Sequence, residues 1–150
     1  MSVEIHPPTY GVSDPRGADP SRGDGSKAPQ RPSLREDLGR ALLACQRASE
    51  ACDRALPALS PLEDGRAESV SECLELSDVC SQAIGRTLGG RRGRFLAEEL
   101  RLCARVSRAC AEELGGEPLL DACAAACESS AASCDRAAER LESTGDRRAA

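Results

Sequence analysis

Aromatic side chains are almost absent from this 150-residue chain, which contains one Tyr, one Phe and no Trp. Because 40% of the residues are nevertheless hydrophobic, the core has to be built mainly from Ala, Leu and Cys. Burial of apolar surface contributes roughly 25 cal/mol per Å², and small side chains bury little of it. The nine cysteines are therefore candidates for a second source of stability.

Positive charge and long apolar runs are also lacking. A net charge of -5 and a pI near 5.0 argue against nucleic acid as a partner. No segment approaches the roughly 20 apolar residues that cross a bilayer, so no membrane partner is expected. The N-terminus has neither a basic start nor an apolar stretch after it, which predicts a cytoplasmic protein. Thiols in that compartment are kept reduced, so the cysteines are expected to be metal ligands or redox groups.

The features of a catalytic site are missing as well. The single histidine is His6, in a proline-rich segment at the start of the chain. No motif pairs a nucleophile with a base, and no glycine-rich loop follows a strand. The sequence therefore predicts that the protein is not an enzyme.

Prolines and glycines divide the chain into a tail and four helical segments. Residues 1–32 hold six of the nine prolines and no apolar periodicity, which predicts a disordered tail. Ser33 and Ser60 each stand three residues before a Glu, the pattern of a capping box. The helices are predicted over residues 33–56, from between 60 and 66 to 89–90, over 94–114 and over 118–142, with a frayed end at 143–150. This predicts an all-α fold, an antiparallel up-down four-helix bundle with a Cys-lined core over residues 33–142.

Three of the helices repeat the pattern C-x3-S-x2-C. It occurs at Cys45–Cys52, Cys73–Cys80 and Cys103–Cys110, with Ser49, Ser77 and Ser107 at its centre, and the fourth helix carries Cys123, Cys127 and Cys134. Spacings of three, four and seven residues place side chains on one face of a helix. Leucines continue the same stripe, so all nine thiols are expected to point into the core, with the serine hydroxyls supplying polarity beside them.

Distances from the predicted helix ends arrange the thiols in two layers about one heptad, ~10.5 Å, apart. One layer would contain Cys52, Cys73, Cys110 and Cys123. The other would contain Cys45, Cys80, Cys103 and Cys127. Cys134 would be left over beyond the second layer, at an end of the bundle closed by leucines and Phe95.

Thiolates suit soft metals, which are Cu(I), zinc and the iron of iron–sulfur clusters. Zinc sites typically take two ligands from a C-x2-C knuckle, a spacing that this chain lacks. Cu(I) accepts two or three thiolates and tolerates an odd number of cysteines, which favours sequestration of Cu(I). Two alternatives stay open: a [4Fe–4S] protein, since each layer has the four cysteines that a cubane requires, and a thiol-rich structural or redox module.

The cysteine stripes over residues 33–142 resemble those of the bacterial copper storage proteins, which load many Cu(I) ions into the core of a four-helix bundle. In that family C-x3-C pairs line the interior, and here only Cys123 and Cys127 match outright. Ser49, Ser77 and Ser107 replace the second Cys elsewhere, which implies a divergent member with lower capacity. The resemblance implies that the metal ligands are Cys45, Cys52, Cys73, Cys80, Cys103, Cys110, Cys123, Cys127 and Cys134. It also implies a cytoplasmic protein that forms a homo-oligomer, a tetramer.

Overall fold

The chain divides into two units, Met1–Arg31 and Pro32–Ala150. A computed structural model describes Gly11 and residues 30–59, 65–91 and 93–149, with side chains as far as residue 145. The tail predicted over residues 1–32 lies outside the described residues, apart from Gly11 and residues 30–32. Its disorder and the domain boundaries stay predictions.

The second unit contains four α-helices. They are α1 (Leu34–Ala55), α2 (Arg66–Leu88), α3 (Leu96–Leu114) and α4 (Asp121–Ala149). Short 3₁₀ helices follow α1 at Leu56–Ala58 and precede α4 at Pro118–Leu120. Over the ranges that the structure describes there is no strand, so the predicted all-α class is confirmed.

Local sequence explains where these helices begin and end. The capping box at Ser33 is present: its Oγ accepts the Glu36 N–H at 3.2 Å, and a Glu36 carboxylate oxygen accepts the Ser33 N–H at 3.1 Å. Gly90 and Gly116 follow α2 and α3 with φ of 95° and 87°, a conformation that glycine adopts without steric cost. The cap predicted at Ser60 lies outside the described residues.

The bounds of α4 differ from the prediction at both ends. The segment Pro118–Leu120 is a 3₁₀ helix, so the α-helix begins at Asp121 rather than near Pro118. It continues to Ala149, beyond the end predicted near Glu142. The later start has a direct consequence for the cysteines, because it places Cys123 in the first turn of the helix.

Helices α1 and α3 each pack against both α2 and α4, which gives a square bundle. The predicted four-helix bundle is therefore confirmed. We call the end with Ser33 the upper end and the end with the two 3₁₀ helices the lower end. At the upper end the buried carboxylate of Asp37 pairs with Arg140 at 3.4 Å, joining α1 to α4.

The buried side chains form two separate clusters. The upper core cluster combines Cys45, Cys80, Cys103 and Cys134 with leucines, Ile84 and alanines. The lower core cluster combines Cys52, Cys73, Cys110, Cys123 and Cys127 with Val70, Leu114, Leu120 and alanines. Phe95 is 58% exposed and does not close the upper end as predicted. It lies in the turn before α3, and Leu96 takes the inward position instead.

Candidate metal centre

All nine cysteines are buried free thiols that face the interior of the bundle. The Cys-lined core expected from the stripes is therefore present, with at least two thiols from every helix. The sulfurs do not form one continuous column. They gather into two groups, one in each core cluster.

The lower group takes one cysteine from each helix. The sulfurs of Cys52, Cys73, Cys110 and Cys127 all lie within 4.8 Å of one another. Cys127 is central, since its Sγ lies 3.6 Å from that of Cys73 and 3.9 Å from those of Cys52 and Cys110. Four thiols from four helices therefore converge on one point.

Cys123 extends the lower group toward the end of the bundle. Its Sγ lies 3.8 Å from that of Cys52. Its residue exposure is 4%, whereas the other cysteines are exposed by 1% or less. The lower group thus has a fifth sulfur, which is the one nearest to solvent.

The upper group has three thiols that lie within 4.8 Å of one another: Cys45, Cys103 and Cys134. The sulfurs of Cys45 and Cys134 lie 3.4 Å apart. Cys80 lies at the side of this group, where its thiol donates a hydrogen bond to the Glu99 carbonyl at 3.4 Å. Three sulfurs therefore converge here, and the fourth has another partner.

The predicted layers are wrong for α4. Cys127 belongs to the lower group rather than the upper one, and Cys134 completes the upper group rather than being left over. The α-helix begins at Asp121 rather than near Pro118, so fewer helical residues separate Cys127 from the lower end than the prediction supposes. The seven-residue spacing of Cys127 and Cys134, which equals the heptad of the other helices, could have indicated this pairing.

Buried serines lie between the two groups. Ser77, Ser107 and Ser130 are exposed by 1% or less, and each hydroxyl contacts a cysteine sulfur. Ser49 behaves differently from its counterparts in α2 and α3. It is half-buried, and its hydroxyl donates to the Asp78 carboxylate at 2.6 Å, joining α1 to α2.

Hydrogen bonds between thiols make the cysteines unequal as acids. Hydrogen bonds with Cys110, Cys127 and Cys52 lower the pKa of Cys73, and hydrogen bonds with Cys134 and Cys45 lower the pKa of Cys103. In return, the contact with Cys103 raises the pKa of Cys45 to about 12. Each group therefore contains a cysteine whose pKa is lowered by its neighbours, and a lowered pKa favours the thiolate form that binds a cation.

The spacing of the sulfurs fits a single soft ion better than a cubane cluster. Metal–sulfur bonds of about 2.3 Å place the ligands of a three-coordinate ion about 4 Å apart. The contacts of 3.4–3.9 Å between sulfurs match that value. In a [4Fe–4S] cluster each cysteine binds a different iron, so its sulfurs must stand farther apart.

In the part of the chain that the structure describes, none of the helices combines the length and apolar character needed to cross a bilayer. A family model described as copper storage protein matches residues 34–139, which is more than half of the chain and includes all nine cysteines. No curated protein matches the chain.

Proposed function

We propose, from the premise that the chain belongs to the copper storage protein family, that its bundle sequesters Cu(I) as thiolate complexes. The observation that carries the proposal is the convergence of buried thiols in two groups of metal-binding dimensions. Copper is the cargo of such a protein. Its retention depends on sulfur donors that are shielded from water and from competing ligands.

The nine cysteines are the proposed ligands. Cys73 and Cys103, whose pKa values are lowered by neighbouring thiol donors, bind the first ions in their groups. The remaining thiols lose their protons as ions enter, because a metal-bound thiol is deprotonated. Loading therefore releases protons and weakens as the pH falls.

The partners of the sulfurs support storage rather than catalysis. Among the described residues, the cysteine sulfurs contact other sulfurs, serine hydroxyls and one backbone carbonyl, that of Glu99. None of these partners is a base that would activate a thiol as a nucleophile. The resemblance to the family further supports a cytoplasmic protein that assembles as a tetramer.

Copper is preferred to a [4Fe–4S] cluster because the sulfurs lie too close together for four separate irons. The odd number of thiols points the same way, since copper–thiolate assemblies share ligands between ions. Zinc also binds thiolates and could occupy the four sulfurs of the lower group. The test therefore includes it.

The experiment is an anaerobic titration of reduced, metal-free protein with Cu(I) in competition with a chromophoric chelator. We expect several ions to bind per chain with the protein colourless, and Cu(I) to displace Zn²⁺. Cys127→Ser should lower the capacity strongly because Cys127 contacts three other sulfurs. Cys80→Ser is the matched control and should lower it only slightly, because Cys80 lies outside the three-thiol group.

Two results would contradict this function. One is the absence of bound Cu(I) in the presence of the chelator. The other is stoichiometric iron and sulfide, with broad visible absorption, in protein purified without oxygen, which would establish the iron–sulfur alternative.

A further inference from the structure

We propose that the buried hydroxyls of Ser77, Ser107 and Ser130 divide the core into two copper centres that load independently. The inference rests on the proposed storage of Cu(I) and specifies how the ions are distributed. The lower centre is a thiolate-bridged cluster of several ions, and the upper centre holds a single three-coordinate ion.

The serines occupy one level of the bundle. Helices α2, α3 and α4 each have one cysteine in the lower cluster and another, seven residues away, in the upper cluster. A serine lies between the two, as Ser107 does between Cys103 and Cys110. In α1 the buried residue at that level is Ala48, with no exposed surface. A plane without sulfur therefore crosses the whole interior.

The contacts of the serines show that this plane separates the groups. Ser107 Oγ lies 3.7 Å from the Cys73 sulfur below it and 3.9 Å from the Cys103 sulfur above it. Within the described part of the chain, every sulfur–sulfur contact joins two cysteines of the same group. A hydroxyl, rather than a thiol, is thus the link between the groups.

Hydroxyl oxygen is a hard donor that soft Cu(I) disfavours. A chain of copper ions bridged by shared thiolates would therefore stop at the serine level from either side. The corresponding cysteines of one helix are seven residues apart, about 10.5 Å along the axis. Ions in the two groups would share no ligand, and each group would bind copper without regard to the other.

The numbers of sulfurs make the two centres different. In the lower group Cys127 contacts three other sulfurs and Cys123 adds a fifth, so thiolates there can each bridge two ions. The three converging sulfurs of the upper group match one three-coordinate ion. Cys80 lies outside this set of three, and its thiol donates a hydrogen bond to the Glu99 carbonyl.

The test is native mass spectrometry of the full chain at rising Cu(I), combined with chelator competition. Cys134→Ala should remove about one ion, the one held by three soft donors, and leave the affinity of the others unchanged within about twofold. Cys123→Ala, in the first turn of α4, should lower the lower centre's load without changing the upper one. The double variant should show the sum of the two losses.

Ser107→Cys tests the partition itself, because it places a sulfur within reach of both groups. We expect it to raise the capacity and to make the loss caused by Cys134→Ala spread to the lower ions. Ser107→Ala is the matched control and should keep two independent centres. If Cys134→Ala alone, with the three serines unchanged, lowers the affinity for every bound ion about tenfold, the partition is overturned and the storage function still stands. A wild type that binds no Cu(I) would refute the proposed function itself.

Discussion

At the scale of single residues, nine cysteines with similar neighbours in the sequence have different environments in the fold. Cys103 has a pKa lowered by hydrogen bonds with neighbouring thiols, Cys80 donates to a backbone carbonyl, and Cys123 lies beside the lower end. The heptad spacing predicts that all of them face inward, because it determines the face of a helix. It does not predict their partners, which depend on contacts between helices. Ser49 shows this limit, since its hydroxyl turns to Asp78 rather than to sulfur.

Cys123 should be the first thiol to react with a small alkylating reagent in the metal-free protein. It is the most exposed of the nine, and contacts with Cys127 and Cys52 lower its pKa to about 4. Its reaction rate should be nearly constant between about pH 6 and about pH 8. The rate of an ordinary thiol rises close to tenfold per pH unit below its pKa, because the thiolate fraction rises by that factor. Peptide mass spectrometry after short exposure measures this.

The control for this prediction is Cys123→Ser, which should remove the fast reaction and leave the slower reactions of the other eight cysteines unchanged. Equal rates for all nine cysteines, or a rate at Cys123 that rises tenfold per pH unit, would show that its environment is not the one described.

At the scale of the helices, starting points decide which thiols share a level. The start of α1 is correctly predicted because the Ser33 capping box is a local pattern. The start of α4 is predicted three residues too early, because a proline at position 118 is compatible both with an α-helix and with the 3₁₀ helix that forms. That difference of three residues exchanges the partners of Cys127 and Cys134. Pairing between helices also depends on surface charges, of which Asp135 is the clearest example.

Asp135 on α4 joins that helix to α3 through Arg108 at 2.7 Å and Arg101 at 3.0 Å. Partial burial by itself would raise the pKa of Asp135, but hydrogen bonds from Arg108 and Arg101 lower it overall. A carboxylate with a lowered folded-state pKa stabilises the fold above its unfolded pKa, near 3.9, and loses that contribution as the pH falls through the folded value. Asp135→Asn should therefore cost about 0.5–1 kcal/mol at neutral pH and less in acid.

Urea unfolding at two pH values measures this difference. Asp53→Asn is the matched control, because Asp53 is an exposed residue of α1 that has no ion pair within the described residues. The interpretation fails if the two variants lose the same stability at neutral pH, or if the cost of Asp135→Asn grows in acid.

At the scale of the whole molecule, a core of Cys, Ala and Ser between short leucine bands has little apolar area to bury. The largest fully buried side chains other than cysteine are Ile84, Leu100, Leu114 and Val70. Composition alone predicts this feature, since the chain has almost no aromatic residues. The division of the core into two clusters is not visible in the composition. It follows from the common level of three serines in the assembled bundle.

Copper should stabilise the folded chain by mass action. An ion that binds only the folded state adds about 4 kcal/mol when its free concentration is about 1,000 times its Kd. We expect a marginally stable metal-free form and a much higher Tm after loading with Cu(I) under reducing conditions. Calorimetry of both forms provides the comparison, and equal midpoints would indicate that the thiols serve only for packing.

The most direct test of the central claim is a crystal structure of the Cu(I)-loaded protein with anomalous scattering measured at the copper edge. The account predicts several copper peaks among Cys52, Cys73, Cys110, Cys123 and Cys127, and one peak among Cys45, Cys103 and Cys134. It predicts none at the level of Ser77, Ser107 and Ser130. A continuous row of peaks through the serine level would contradict the two-centre arrangement, and a core without copper would contradict the storage function.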